Sequence, residues 1–218
     1  MEHRTLGKTG LEVPVVGMGT WQTFNVRGSA AQKNACIIVD TALKAGANFF
    51  DSSPMYGEAE HVLGECLQGR REQALVATKV WASTGSEGQA QVRRALQFFG
   101  GYIELYQIHN LVNWREHLVM LERLRDAGQV RAIGATHYSS SAFAELRQVM
   151  IGMLIEMQAP LFGGKFSEKC MRFVITFCAS LEDLFQIAGG SLSFFMEIKA
   201  AGHFEIGRSG ISFSERLR

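Results

Sequence analysis

The chain has 218 residues, 47% hydrophobic and 20% charged, the balance of a globular protein long enough to enclose one large core. With 22 basic against 21 acidic residues, the net charge of +1 gives no electrostatic reason to expect nucleic acid or an anionic membrane, and small molecules are the expected partners. No apolar run approaches the roughly 18 residues of a membrane-spanning helix, and MEHRTLGKTG lacks an apolar signal core, so the cytoplasm is the expected address.

In chain order, apolar β-rich stretches alternate with segments of helical period. VPVVGMG is followed by AAQKNACIIVDTALKAG, NFFDSS by EAEHVLGECLQG, and ALVATKVW by EGQAQVRRALQFFGG. YIELYQIH then precedes WREHLVMLERLRDAG, and VRAIGATH precedes SSSAFAELRQVM, which makes five strand-helix units. Gly46, Gly69, Gly100 and Gly128 follow helical segments, where a left-handed residue ends a helix cheaply. Such repeats close into a (β/α)8 barrel of the TIM type or open into a doubly wound sheet, and both gather chemistry at strand carboxyl ends. Polar or small residues stand at all five ends: Gly19-Thr20-Trp21, Asp51 to Tyr56, Lys79, His109-Asn110 and Thr136-His137. A barrel collects residues from many strand ends, and GMGTWQ lacks the third glycine of a dinucleotide fingerprint, so the barrel is the expected fold.

The rhythm blurs after Gly152, where nine of the fifteen phenylalanines lie in residues 151–218. MLIEMQAP reads as a sixth strand, RFVITFC as a seventh, SLEDLFQIAGG as a short helix and SLSFFMEI as an eighth strand. Eight units need about 250 residues, so the barrel is expected to be incomplete or compressed after strand six. The expected division is residues 1–160 as the barrel portion and 161–218 as an atypical phenylalanine-rich segment, in the same domain or partly disordered. An uncovered barrel edge would promote self-association, with the tail covering that edge or pairing with a second chain. Cys36, Cys66, Cys170 and Cys178 show neither a CxxC pair nor zinc-like spacing and are expected to be reduced thiols, with no metal site.

One acid, one phenol, one ammonium and one imidazole at strand ends suggest a shared site, because a charge in a buried strand needs a partner. Singly, each has a plainer reading. Asp51 suits a turn before Ser52-Ser53-Pro54, Tyr56 a packed loop aromatic, Lys79 a snorkelling lysine and His109 a satisfied core histidine.

Taken together, GMGTW, FFDSSPMYGEAEHVLGECL, ATKVW, IELYQIHN and GQVRAIGATH resemble the aldo-keto reductase family over about residues 4 to 160. The spacing is specific, with four residues between Asp51 and Tyr56, twenty-two between Tyr56 and Lys79, and twenty-nine between Lys79 and His109. The resemblance implies an NADPH-dependent barrel that reduces a small aldehyde or ketone. Tyr56 would be the general acid, Lys79 would lower its pKa, Asp51 would hold Lys79, and His109 would orient the carbonyl. It also implies cofactor contacts from Gly19, Thr20, Asp51, Thr136, His137 and Gln158, and a substrate pocket lined by Trp21, Trp81 and Asn110. Thr136-His137 replaces the usual Ser-Asn pair, and QAPLF lacks the family's stacking tyrosine, with Phe162 nearby. GRSGIS, with Arg208, suits either a phosphate cradle or a disordered tail. The alternative is a truncated, inactive relative without the cofactor-phosphate loops, acting as an interaction protein or without biochemical role.

Overall fold

A computed structural model describes residues 1–7, 9–156 and 195–197. A two-stranded antiparallel hairpin, β1 (His3–Thr5) and β2 (Glu12–Pro14), precedes the main sheet. Five parallel strands follow: β3 (Val16–Gly19), β4 (Phe49–Asp51), β5 (Leu75–Val80), β6 (Ile103–Ile108) and β7 (Val130–Ala135). Between and after them run α1 (Ser29–Lys44), α2 (Ala59–Cys66), α3 (Gly85–Phe98), α4 (Trp114–Asp126) and α5 (Phe143–Glu156). The parallel strands lie side by side in chain order with no reversal. A doubly wound sheet would reverse at a switch point, so the order is that of an α/β barrel.

Strand alternation sorts the side chains into two layers. Facing the helices, Phe50, Val76, Val80, Tyr106 and Ile108 pack with Val39, Leu63, Val92, Leu121 and Leu146 of the five helices. On the other face, Phe49, Ala77, Leu105 and Ala132 pack with Leu11 and Val13 of the hairpin segment, which covers the amino-terminal ends of the strands. The four expected glycine stops all lie at φ between +72° and +79°.

Three expectations change. VPVVGMG is not one strand: the chain completes the hairpin at Pro14, and Val15, whose N–H donates to Glu2 O, turns it into β3. Of the expected sixth strand, residues 153–156 form the last turn of α5. Leu146, Val149 and Met150 set a helical stripe there, and methionine, leucine and glutamate prolong it. Third, the short strand β8 (Phe195–Glu197), from the expected eighth strand, lies beside β3 but runs antiparallel, with Met18 opposite Phe195. A uniformly parallel barrel would place a parallel strand there. RFVITFC, SLEDLFQIAGG and GRSGIS lie outside the described residues. Among the described residues no helix is long and apolar enough to cross a membrane.

The expectation for the cysteines also changes for one pair. Cys36 on α1 and Cys66 at the end of α2 are joined by a disulfide, their Cα atoms 4.8 Å apart. The two positions are 30 residues apart in sequence, and only the packing of α1 beside α2 brings them together. Closing such a loop constrains the unfolded chain, so Cys36→Ser is expected to lose about 2–4 kcal/mol in urea unfolding. A reductant should lower the parent to the variant's level and leave the variant unmoved; equal stability of the oxidised parent and the variant would contradict the cross-link's role.

Candidate active site

The residues that pack the barrel floor also place the polar ones above it. Asp51, Lys79 and Gln107 each stand two positions beyond a floor residue, Phe49, Ala77 and Leu105, and therefore face the same way, nearer the carboxyl ends. Gly134, two beyond Ala132, makes room for this layer, because a Cβ there would stand 3.3 Å from Gln107 Cγ.

Lys79 is the centre of the group. It is 5% exposed, and its Nζ donates to Asp51 Oδ2 at 2.7 Å and to the Ser52 carbonyl at 2.7 Å. Gln107 Nε2 makes a long 3.5 Å contact with Asp51 Oδ1. Breaking such a pair by removing one partner typically costs about 3–5 kcal/mol, since the remaining charge is stranded. Thr20 fixes the backbone beneath: its N–H and hydroxyl both donate to Asp51 O at 3.0 Å, and the hydroxyl is also 2.9 Å from Ser52 Oγ.

Tyr56 closes a 3-10 turn, Pro54–Tyr56, that Ser53 caps by accepting from Met55 N. Its ring centroid lies 5.3 Å from Lys79 Nζ, 6.0 Å edge-on from the His109 ring and 6.4 Å from Trp21. His109 is buried, with Nδ1 2.8 Å from Ser53 Oγ. Burial, and secondarily the Lys79 charge, lowers its pKa to about 3, so it is neutral at physiological pH. Because the unfolded value is near 6.5, this burial of neutral imidazole stabilises the fold above pH 6.5, and the contribution fades as pH falls toward 3.

The remaining residues named from sequence surround this centre at varying depth. Thr136 is buried at the end of β7, its hydroxyl within 3.4 Å of Asn110 N. Asn110 adopts a left-handed conformation at φ 53°. Gly19 ends β3, and a Cβ there would meet nothing within 4 Å. Trp21 and Trp81 are 46% and 42% exposed at their strand ends. The Trp81 backbone is held on both sides by buried Gln91, which accepts from its N–H at 2.8 Å and donates to its carbonyl at 2.6 Å. His137 accepts from Ser139 N through Nδ1 and stacks on Tyr138. Gln158 lies outside the described residues. Among the described residues no cluster of three metal-ligating side chains occurs.

Sequence reading missed Ser53, Gln107 and Glu60. Glu60 was legible in principle: it shares the α2 stripe of Leu63 and Leu67, at i, i+3 and i+7, so a carboxyl had to be buried there. Burial raises its pKa to about 7, against the Thr78 hydrogen bond and the charges of Lys79 and Arg94, which lower it.

A model of the aldo/keto reductase family matches residues 15–173. The aldo-keto reductase YhdN of Bacillus subtilis is 28% identical over 192 residues, 79% of this chain and 58% of its own length. A crystal structure assigned to the aldo-keto reductases from Pseudomonas aeruginosa superposes with a TM-score of 0.58 at 26% identity, covering 66% of this chain and 63% of its own. The fold is shared with an aldo-keto reductase from Klebsiella pneumoniae in complex with NADPH, at a TM-score of 0.57 and 22% identity, over 70% of this chain and 54% of that one. The match thus spans less than two-thirds of each of these relatives' own length.

Glu60 yields a stability test with a definite sign. Its folded pKa, about 7, exceeds the ordinary carboxyl value of 4.5, so its contribution is complete below pH 4.5 and is lost as pH rises through 7. Glu60→Gln is therefore expected to gain thermal stability relative to the parent progressively from pH 4.5 to 7 and to hold that gain above. A stability difference that does not change with pH would show that Glu60 does not titrate there.

Proposed function

Because the chain belongs to the aldo/keto reductase family, we propose that it uses NADPH to reduce the carbonyl of a small aldehyde or ketone, with Tyr56 as proton donor. The observation that carries this reading is the buried Lys79 ammonium, fixed by Asp51 and the Ser52 carbonyl, 5.3 Å from the Tyr56 ring centroid. The NADPH bound to the Klebsiella pneumoniae neighbour supports the choice of cofactor.

A bound nicotinamide supplies the hydride. Thr136, at the end of β7, and Gly19, with open space where a side chain would stand, suit its carboxamide and ring, and the resemblance adds Gln158 and His137. Tyr56 gives its proton to the carbonyl oxygen as hydride reaches carbon. Free tyrosine has a pKa near ~10, and an adjacent ammonium favours the phenolate that remains. Asp51 keeps that ammonium in place.

His109 completes the arrangement. Ser53 Oγ accepts from Met55 N and lies 2.8 Å from His109 Nδ1, and in the tautomer we propose it donates its hydroxyl proton there. The neutral imidazole then carries its proton on Nε2, a donor suited to the substrate carbonyl. Trp21 and Trp81 offer apolar surface, and Asn110 a polar edge, for the substrate.

Tyr56→Phe is expected to lower carbonyl-dependent NADPH oxidation by roughly 100-fold or more. Its NADPH affinity, followed by quenching of Trp21, Trp81 and Trp114 fluorescence, should stay at the parent's. A variant that turns over like the parent would remove Tyr56 as the acid, and a folded chain without NADPH binding would remove the reductase reading.

A further inference from the structure

Tyr56 and Lys79 stand on different elements, so their separation depends on what fixes one element to the other. Tyr56 ends the 3-10 turn that leads into α2 at Ala59, whereas Lys79 is on β5. A link lies behind the strand. Thr78, next to Lys79, points to the helix layer by strand alternation, and its hydroxyl donates to Glu60 Oε1 at 2.5 Å. Glu60 stands in the first turn of α2, four residues after Tyr56.

Both ends of that bond are buried, Thr78 wholly and Glu60 at 5% exposure. A carboxyl is a poor choice here for packing alone, because Val62, Leu63 and Leu67 around it are apolar. Thr78 on β5 meets it by hydrogen bond, the charges of Lys79, on the far face of β5, and of Arg94 on α3 act on it, and its own charge opposes ionisation of Tyr106 on β6. Among the described residues the Tyr106 hydroxyl has no hydrogen-bond partner. This polar cluster, set in an apolar layer, adjoins the strand that carries Lys79.

We propose that Glu60 is a positioning residue for the Tyr56–Lys79 pair: its hydrogen bond with Thr78 locks the start of α2, and with it the Tyr56 turn, against the strand that carries Lys79. The inference rests on Tyr56 being the proton donor. Loss of the bond lets the turn drift from the ammonium, and the charge's effect on the phenol falls with distance.

The test is ultraviolet titration of the Tyr56 phenol in the full chain, each variant being compared with the same variant carrying Tyr56→Phe. Glu60→Ala and Glu60→Gln both remove the charge, but only glutamine still offers an oxygen to Thr78, so their difference isolates the hydrogen bond. The alanine variant is expected to titrate about one unit higher than the glutamine variant. Thr78→Val against Thr78→Ser should repeat that difference from the other end, and carries the test if Glu60→Ala does not fold by circular dichroism. Equal midpoints within the pairs would overturn the proposal. If instead the parent's Tyr56 titrates at the free-tyrosine value near ~10, the assignment of Tyr56 fails first and the positioning role falls with it.

Discussion

An ammonium taken out of water must be met by an anion and by acceptors, and in this protein that requirement is answered by Asp51 and the Ser52 carbonyl around Lys79. Much of the upper barrel follows from it. Thr20 braces the Asp51 and Ser52 backbone from β3's end, Gln107 reaches Asp51 from β6, and Gly134 on β7 leaves the space that Gln107 occupies. Four neighbouring strands are thus committed to one charge. That commitment is costly for stability and makes sense if the charge acts on the phenol beside it.

The same strands serve two masters through their alternation. Inward positions pass from an apolar floor of Phe49, Ala77, Leu105 and Ala132 to the polar layer of Asp51, Lys79 and Gln107 within two residues. Outward positions hold the helices, and one of them, Thr78, binds Glu60 behind Lys79. Two buried groups consequently pull the pH dependence of folding in opposite directions: His109 favours neutral over acid conditions, and Glu60 favours acid over neutral.

The five strand-helix units were legible because each carries an apolar run and a helical stripe, and a glycine stop closes the first four. Asp51, Tyr56, Lys79 and His109 were legible because charged or polar groups interrupt those runs at strand ends. The disulfide was not, since Cys36 and Cys66 meet only through helix packing. Residues 153–156 were misread as strand because a short apolar run reads as strand or helix alike, and the preceding stripe of Leu146, Val149 and Met150 decides for helix. The direction of β8 was not encoded locally at all, because Phe195–Glu197 would have the same period in either orientation.

Lys79→Met keeps the apolar stem and removes the ammonium together with its hydrogen bonds to Asp51 and the Ser52 carbonyl. In single-turnover reduction of benzaldehyde by NADPH at neutral pH, this variant is expected to react roughly 100-fold or more below the parent's rate, with cofactor quenching of tryptophan fluorescence retained. A Lys79→Met chain that binds NADPH and reduces the aldehyde at the parent's rate would contradict the role of the Lys79 ammonium.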